Sequence, residues 1–76
     1  MNLKDLQSKL RLGEIIYLFD DFEEVALRLI LENGVTKSFL KHKGRKEIEL
    51  PQSSEIVCNV ILGGIEISKS EYDNFV

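Results

Sequence analysis

The apolar positions of the chain first recur at a helical spacing. Three leucines mark one helix face: Leu3, Leu6 and Leu10. Asn2 before them is a favourable N-cap, and Gly13 after them is typical of the residue that follows a helix. The pattern predicts a helix over about residues 2–12. Because helices shorter than about 12–15 residues rarely hold alone in water, we expect the leucines to pack on a sheet.

The next apolar segment is typical of a strand. Residues Glu14 to Phe19 are mostly β-branched or aromatic, and they lie between Gly13 and the turn-forming pair Asp20-Asp21. We therefore predict a first strand over this segment.

The segment from Glu23 to Glu32 is compatible with two periods. A helix would end at Gly34, but its apolar residues would surround most of the circumference. A strand separates two sets, with Val25, Leu27, Leu29 and Leu31 on one face and Ala26, Arg28, Ile30 and Glu32 on the other. The pair Asn33-Gly34 favours the strand, because a type I′ turn requires positive φ at both of its central residues. The segment Val35 to His42 is then the return strand of a hairpin.

The remaining chain predicts shorter elements. A turn at residues 43–45 leads to a strand over 46–50, and a short strand at 65–67 follows Gly63-Gly64. Residues 53–62 fit either a strand or a helix that is capped by Ser53, and the helix is favoured. Ser68 and Glu71 form a capping box that opens a C-terminal helix with Tyr72 and Phe75. The predicted fold is α+β in a single domain over residues 1–76. An N-terminal helix packs on a small antiparallel sheet of three to five strands, and a short C-terminal helix follows.

Composition indicates a folded globular protein. The 76 residues are 43% hydrophobic and 30% charged, with one proline and one cysteine. The single Cys58 excludes an internal disulfide, so a reducing cytoplasm is the expected location. No apolar run resembles a secretory signal or approaches the ~20 residues of a membrane span, and we expect no membrane insertion.

The basic charge of the chain is concentrated in one segment. The net charge is −3, yet residues 35–46 carry +5 and lie between two acidic blocks. The candidate binding residues there are Lys37, Phe39, Lys41, Lys43, Arg45 and Lys46. As a nucleic-acid surface, the cations would contact phosphates and Phe39 would stack on a base. The favoured alternative is an edge strand whose lysines prevent association between sheets, with Phe39 in the core.

An acidic cluster precedes the second strand. Its members are Asp20, Asp21, Glu23 and Glu24. The cluster lacks the ligand spacing and central glycine of an EF-hand calcium loop, so a solvated turn is favoured and mimicry of phosphates is the alternative. His42 and Cys58 are the only residues of their types, and Cys58 lies in an apolar run. We therefore expect no catalytic pair, no metal site and no cofactor.

The closing segment from Ile65 to Phe75 is similar to the ends of small accessory proteins carried by bacteriophages and mobile elements of low-GC Gram-positive bacteria. The resemblance implies a short protein without enzyme activity that acts on a host or phage partner. Our hypothesis is a non-enzymatic protein-interaction module that modulates or inhibits a host protein through the charged hairpin or a sheet edge. The alternative is a nucleic-acid-binding domain that uses residues 37–46. Unpaired strand edges also fit a homodimer.

Overall fold

The computed structural model describes residues 2–75, which form three helices and five strands. The elements are α1 (Leu3–Arg11), β1 (Ile16–Asp20), β2 (Val25–Glu32), β3 (Val35–His42), β4 (Ile48–Leu50), α2 (Glu55–Gly63), β5 (Ile65–Ile67) and α3 (Lys69–Asp73). The predicted α+β fold is confirmed. No helix in the described range is long and apolar enough to cross a bilayer.

The five strands form one antiparallel sheet in the order β4-β3-β2-β1-β5. Strands β2 and β3 pair along their whole lengths, from Val25 opposite His42 to Glu32 opposite Val35. The φ angles of Asn33 (53°) and Gly34 (78°) are both positive, as a type I′ turn requires. The hairpin prediction is confirmed, and the helix alternative for this segment is wrong.

One face of the sheet carries the larger core. Alternation along the strands directs their aliphatic side chains towards α1 and α2, because successive side chains of a strand point to opposite faces. The buried members of this core are Leu6, Leu10, Ile16, Leu18, Val25, Leu27, Leu29, Leu40, Val57 and Val60. Leu3 of the predicted leucine face stays 51% exposed, so α1 is held by Leu6 and Leu10.

The opposite face of the sheet is covered only in part, by α3. Tyr72 of α3 packs against Tyr17 and Ala26, and the two tyrosine rings lie 5.1 Å apart. Phe75, just beyond α3, meets Phe19 edge to face at 5.6 Å. Strand β2 is therefore enclosed on both faces at its start, where Ala26 and its neighbours are fully buried.

Several element boundaries differ from those expected. The helix in the 53–62 region is confirmed, but its N-cap is Ser54 and it extends to Gly63. Strand β4 begins at Ile48 and not at residue 46, because its pairing with β3 starts at Ile48 opposite Leu40. The capping box of Ser68 forms as predicted.

Candidate functional site

Two charged loops lie at the same end of the sheet. The β1–β2 loop (residues 21–24) and the β3–β4 loop (residues 43–47) are neighbours because Val25 pairs with both Asp20 and His42. The acidic cluster and the distal part of the basic segment are thus brought together in space. Within residues 2–75, no ion pair joins one loop to the other.

The acidic loop has a fixed backbone and a fully displayed aromatic ring. Oδ1 of Asp20 accepts hydrogen bonds from the backbone N–H groups of Phe22 at 2.9 Å and Glu23 at 3.3 Å. Glu24 closes the loop with a φ of 53°, in the left-handed region. The side chain of Phe22 is left 91% exposed. A large apolar group is therefore presented among four carboxylates.

A depression of about 340 Å³ lies beside this loop. Its aromatic side is formed by Phe19 and Phe75, whose rings meet edge to face. Asp21 and Glu24 contribute carboxylates to the wall, and Lys43 contributes an ammonium group. The depression therefore combines an aromatic surface with charges of both signs.

The proximal part of the predicted basic surface is engaged within the protein. Lys37 pairs with Glu32 at 3.1 Å, and the bond raises the pKa of Lys37. Phe39 is half-buried, with the guanidinium of Arg28 4.1 Å from its ring centre. Lys41 donates to the backbone oxygen of Tyr72 at 2.8 Å. These three candidate residues share a face of β3, as alternation predicts, and each contacts another part of the chain.

The distal cations are in the loop and differ from the proximal ones. Lys43, Arg45 and Lys46 are all exposed, and none makes an ion pair or side-chain hydrogen bond within the described residues. Lys43 lies beyond the end of β3, so the strand alternation that places Phe39 and Lys41 on one face does not extend to it.

A partly buried polar network was not anticipated from the sequence. The guanidinium of Arg28 donates to Glu47 through Nε at 2.9 Å and Nη2 at 3.1 Å. The hydroxyl of Tyr72 donates to the same carboxylate at 2.6 Å. These bonds hold the pKa of Glu47 below its ordinary value despite burial, which acts in the opposite direction. Burial and the contact with Glu47 raise the pKa of Tyr72. The network ties the β3–β4 loop to both β2 and α3.

The only signal for this network in the sequence was Arg28, the one charged residue in the interior of a strand whose other charged residue, Glu32, lies at its end. Arg28 lies on the face opposite the larger core, where a charged residue needs a partner to be half-buried. Its partner Glu47 is 19 residues away and outside any strand, so no local period identifies it.

His42 and Cys58 lie in different elements, at the end of β3 and in α2, and both are exposed. The thiol of Cys58 donates a weak hydrogen bond to the carbonyl of Gln52 at 3.6 Å. Across residues 2–75, no three His, Cys, Asp or Glu side chains form a group that could hold a metal ion.

The chain was compared with protein-family models, curated proteins and solved structures, and none of the three comparisons gives a match.

Proposed function

We propose that this protein is a small, non-enzymatic protein-binding module that docks through the acidic loop, residues 20–24. The observation that carries the proposal is the 91% exposure of Phe22. Burying a phenylalanine side chain contributes about 1.5–3 kcal/mol, so an exposed ring on a fixed loop is a favourable anchor for a partner.

The fixed loop supports this role because little conformational freedom remains to be lost on binding. The two hydrogen bonds to Asp20 and the left-handed Glu24 hold the backbone on both sides of Phe22. Ordering one flexible side chain or loop residue at an interface costs about 0.5–1.5 kcal/mol, and a preorganised loop avoids much of that cost.

Charge defines the class of partner. Four of the five residues from Asp20 to Glu24 are acidic, and they surround the apolar ring. Such a surface complements an apolar pocket with a basic rim, and the charges accelerate association at low salt. The similarity of residues 65–75 to phage accessory proteins supports a host protein as the partner, whose activity the module modulates or inhibits.

The test is affinity capture with matched variants. Wild type, Phe22→Ala and Val35→Ala are immobilised, incubated with nuclease-treated host lysate and analysed by mass spectrometry. Val35 is a suitable control because it is also exposed (60%) but follows the turn at the other end of β3. We expect one stoichiometric protein with wild type and Val35→Ala that is lost with Phe22→Ala. Equal recovery by Phe22→Ala would remove the acidic loop as the interface.

A nucleic-acid-binding domain is the second candidate function. It is supported by Lys43, Arg45 and Lys46, three exposed cations on one loop without ion-pair partners among residues 2–75. Neutralising three phosphates predicts that log Kd for a single strand changes with log salt concentration at a slope of about 2. The triple alanine variant should abolish that slope, and salt-independent binding would exclude this function.

Two further features belong to the same proposal. The free thiol of Cys58 is exposed, which suits the reducing conditions of a cytoplasm. The outermost strands β4 and β5 have three residues each, and their outer edges offer pairing sites for a second copy. Sedimentation equilibrium of the purified chain tests the homodimer directly.

A further inference from the structure

We infer that the depression beside Phe22 binds a lysine or arginine side chain of the partner protein. The inference rests on the proposed function, since it names a group that the partner would place next to its apolar pocket. The depression of about 340 Å³ has Phe19 and Phe75 on one side and the carboxylates of Asp21 and Glu24 in its wall. A long basic side chain matches both, because its aliphatic stem packs on aromatic rings while its charged end meets carboxylates.

The same face of the protein already holds one of its own cations in this way, and a second one on an aromatic ring. Arg28 lies over the ring of Phe39 at 4.1 Å and is bonded by the carboxylate of Glu47. Lys41 lies 4.3 Å from the ring centre of Tyr72. Arg28 is therefore packed between an aromatic ring and a carboxylate, whereas Lys41 combines its ring contact with a hydrogen bond to the backbone oxygen of Tyr72. The depression offers the two kinds of partner that Arg28 has, and no cation of residues 2–75 forms an ion pair with its carboxylates.

Lys43 is the competing group. It lines the same depression, so its ammonium group raises the local potential that an incoming cation meets. Its flexible stem allows the charge to remain in water while the site is occupied. Removal of the Lys43 ammonium group should therefore strengthen the binding of a cation in the depression. If the depression instead bound a ligand with both a positive and a negative charge, removal of Lys43 would weaken the binding of that ligand.

Binding is tested without the partner, with Nα-acetyl-lysine methylamide as the probe. Its neutral analogue Nα-acetyl-norleucine methylamide has the same stem and lacks the charge. Each is titrated into the full-length 15N-labelled chain, and amide shifts at Asp21, Glu24 and Phe75 are followed. We expect saturable shifts with the lysine probe, and a Kd at least about threefold higher for the norleucine probe, as expected for one exposed ion pair. Equal affinity for the two probes would overturn the inference.

Variants supply the second arm of the experiment. We expect Asp21→Asn and Glu24→Gln each to raise the Kd of the lysine probe about threefold, and Lys43→Ala to lower it by a similar factor. Glu14→Gln is the matched control, because Glu14 is exposed and belongs to the segment between α1 and β1. A Kd that rises with Lys43→Ala, or rises equally with Glu14→Gln, would contradict the site.

Failure of this inference is distinguishable from failure of the proposed function. Phe22 does not line the depression, so Phe22→Ala should bind the lysine probe as wild type does while losing the captured partner. A rise of about threefold in the Kd of the lysine probe for Asp21→Asn, with normal dependence of the partner on Phe22, supports both. Absence of probe binding with normal dependence on Phe22 overturns the cation site and leaves the docking loop.

Discussion

Replacing Tyr72 with phenylalanine removes a single hydroxyl from the contact between α3 and the β3–β4 loop. That hydroxyl donates to Oε1 of Glu47 at 2.6 Å, whereas the ring contacts with Tyr17 and Lys41 remain. A hydrogen bond to a charged group contributes about 1.5–3 kcal/mol to stability. Glu47 keeps both bonds from Arg28 and is 30% exposed, so we expect a loss near the lower limit, about 1–1.5 kcal/mol.

Urea denaturation followed by circular dichroism measures this loss. For a domain of this size the expected decrease corresponds to a Tm lower by about 4–10 °C. Tyr17→Phe is the matched control, because the two rings are in contact and the hydroxyl of Tyr17 makes no hydrogen bond within residues 2–75. If both substitutions reduced the free energy of unfolding equally, the bond to Glu47 would not be the source of the effect, and our reasoning would be refuted.

Three further predictions concern the network, the core and a close backbone contact. The bond from Arg28 lowers the pKa of Glu47 below its ordinary value of 4.5. The stabilisation that the ionised Glu47 provides is therefore complete above pH 4.5 and is lost as the pH falls through the pKa of Glu47 in the folded state. The difference in unfolding free energy between wild type and Glu47→Gln should therefore shrink on acidification below about pH 4.5, and a difference that grew would contradict the assigned charge. Ser38→Ala should raise the free energy of unfolding by about 1 kcal/mol, because the fully buried hydroxyl has no hydrogen-bond partner among residues 2–75. An unchanged urea midpoint would argue against this. Gly64→Ala should destabilise the protein by about 1–3 kcal/mol, because the added Cβ would lie 2.5 Å from a carbonyl oxygen of α2. A Cβ added at Gly63 would meet nothing within 4 Å. In thermal melts, the control Gly63→Ala should therefore be neutral or stabilising.

The elements of this fold were predictable because their signals are local. The strand assignment of residues 25–32 followed from alternation and from a turn pair that tolerates positive φ, and both are properties of neighbouring residues. The capping box that opens α3 involves two residues three positions apart. The position of β4 was predicted less well, since its pairing with β3 covers only Ile48 to Leu50 and Glu47 lies in the loop, where it accepts bonds from Arg28 and Tyr72.

The candidate site was only partly visible in the sequence. The acidic residues 20–24 and the basic residues 37–46 were both identified, but as separate features whose relation was open. The adjacency of the acidic loop and the distal basic residues follows from the pairing of β2 with both β1 and β3, which brings two loops to one end of the sheet. The exposure of Phe22 was equally open, because a small chain is expected to use most of its aromatic residues in the core.

The sequence alone therefore determined most of the helices and strands, where the turns lie and which face of each strand is apolar, while residues 53–62 remained compatible with a helix or a strand. These properties depend on interactions within a few residues and on the two periods of regular backbone. Only the tertiary structure decided that α3 covers the face opposite α1 and α2, and that Lys41 reaches Tyr72 across 31 residues of chain. Contacts of that kind depend on strand order and register, which no local pattern specifies.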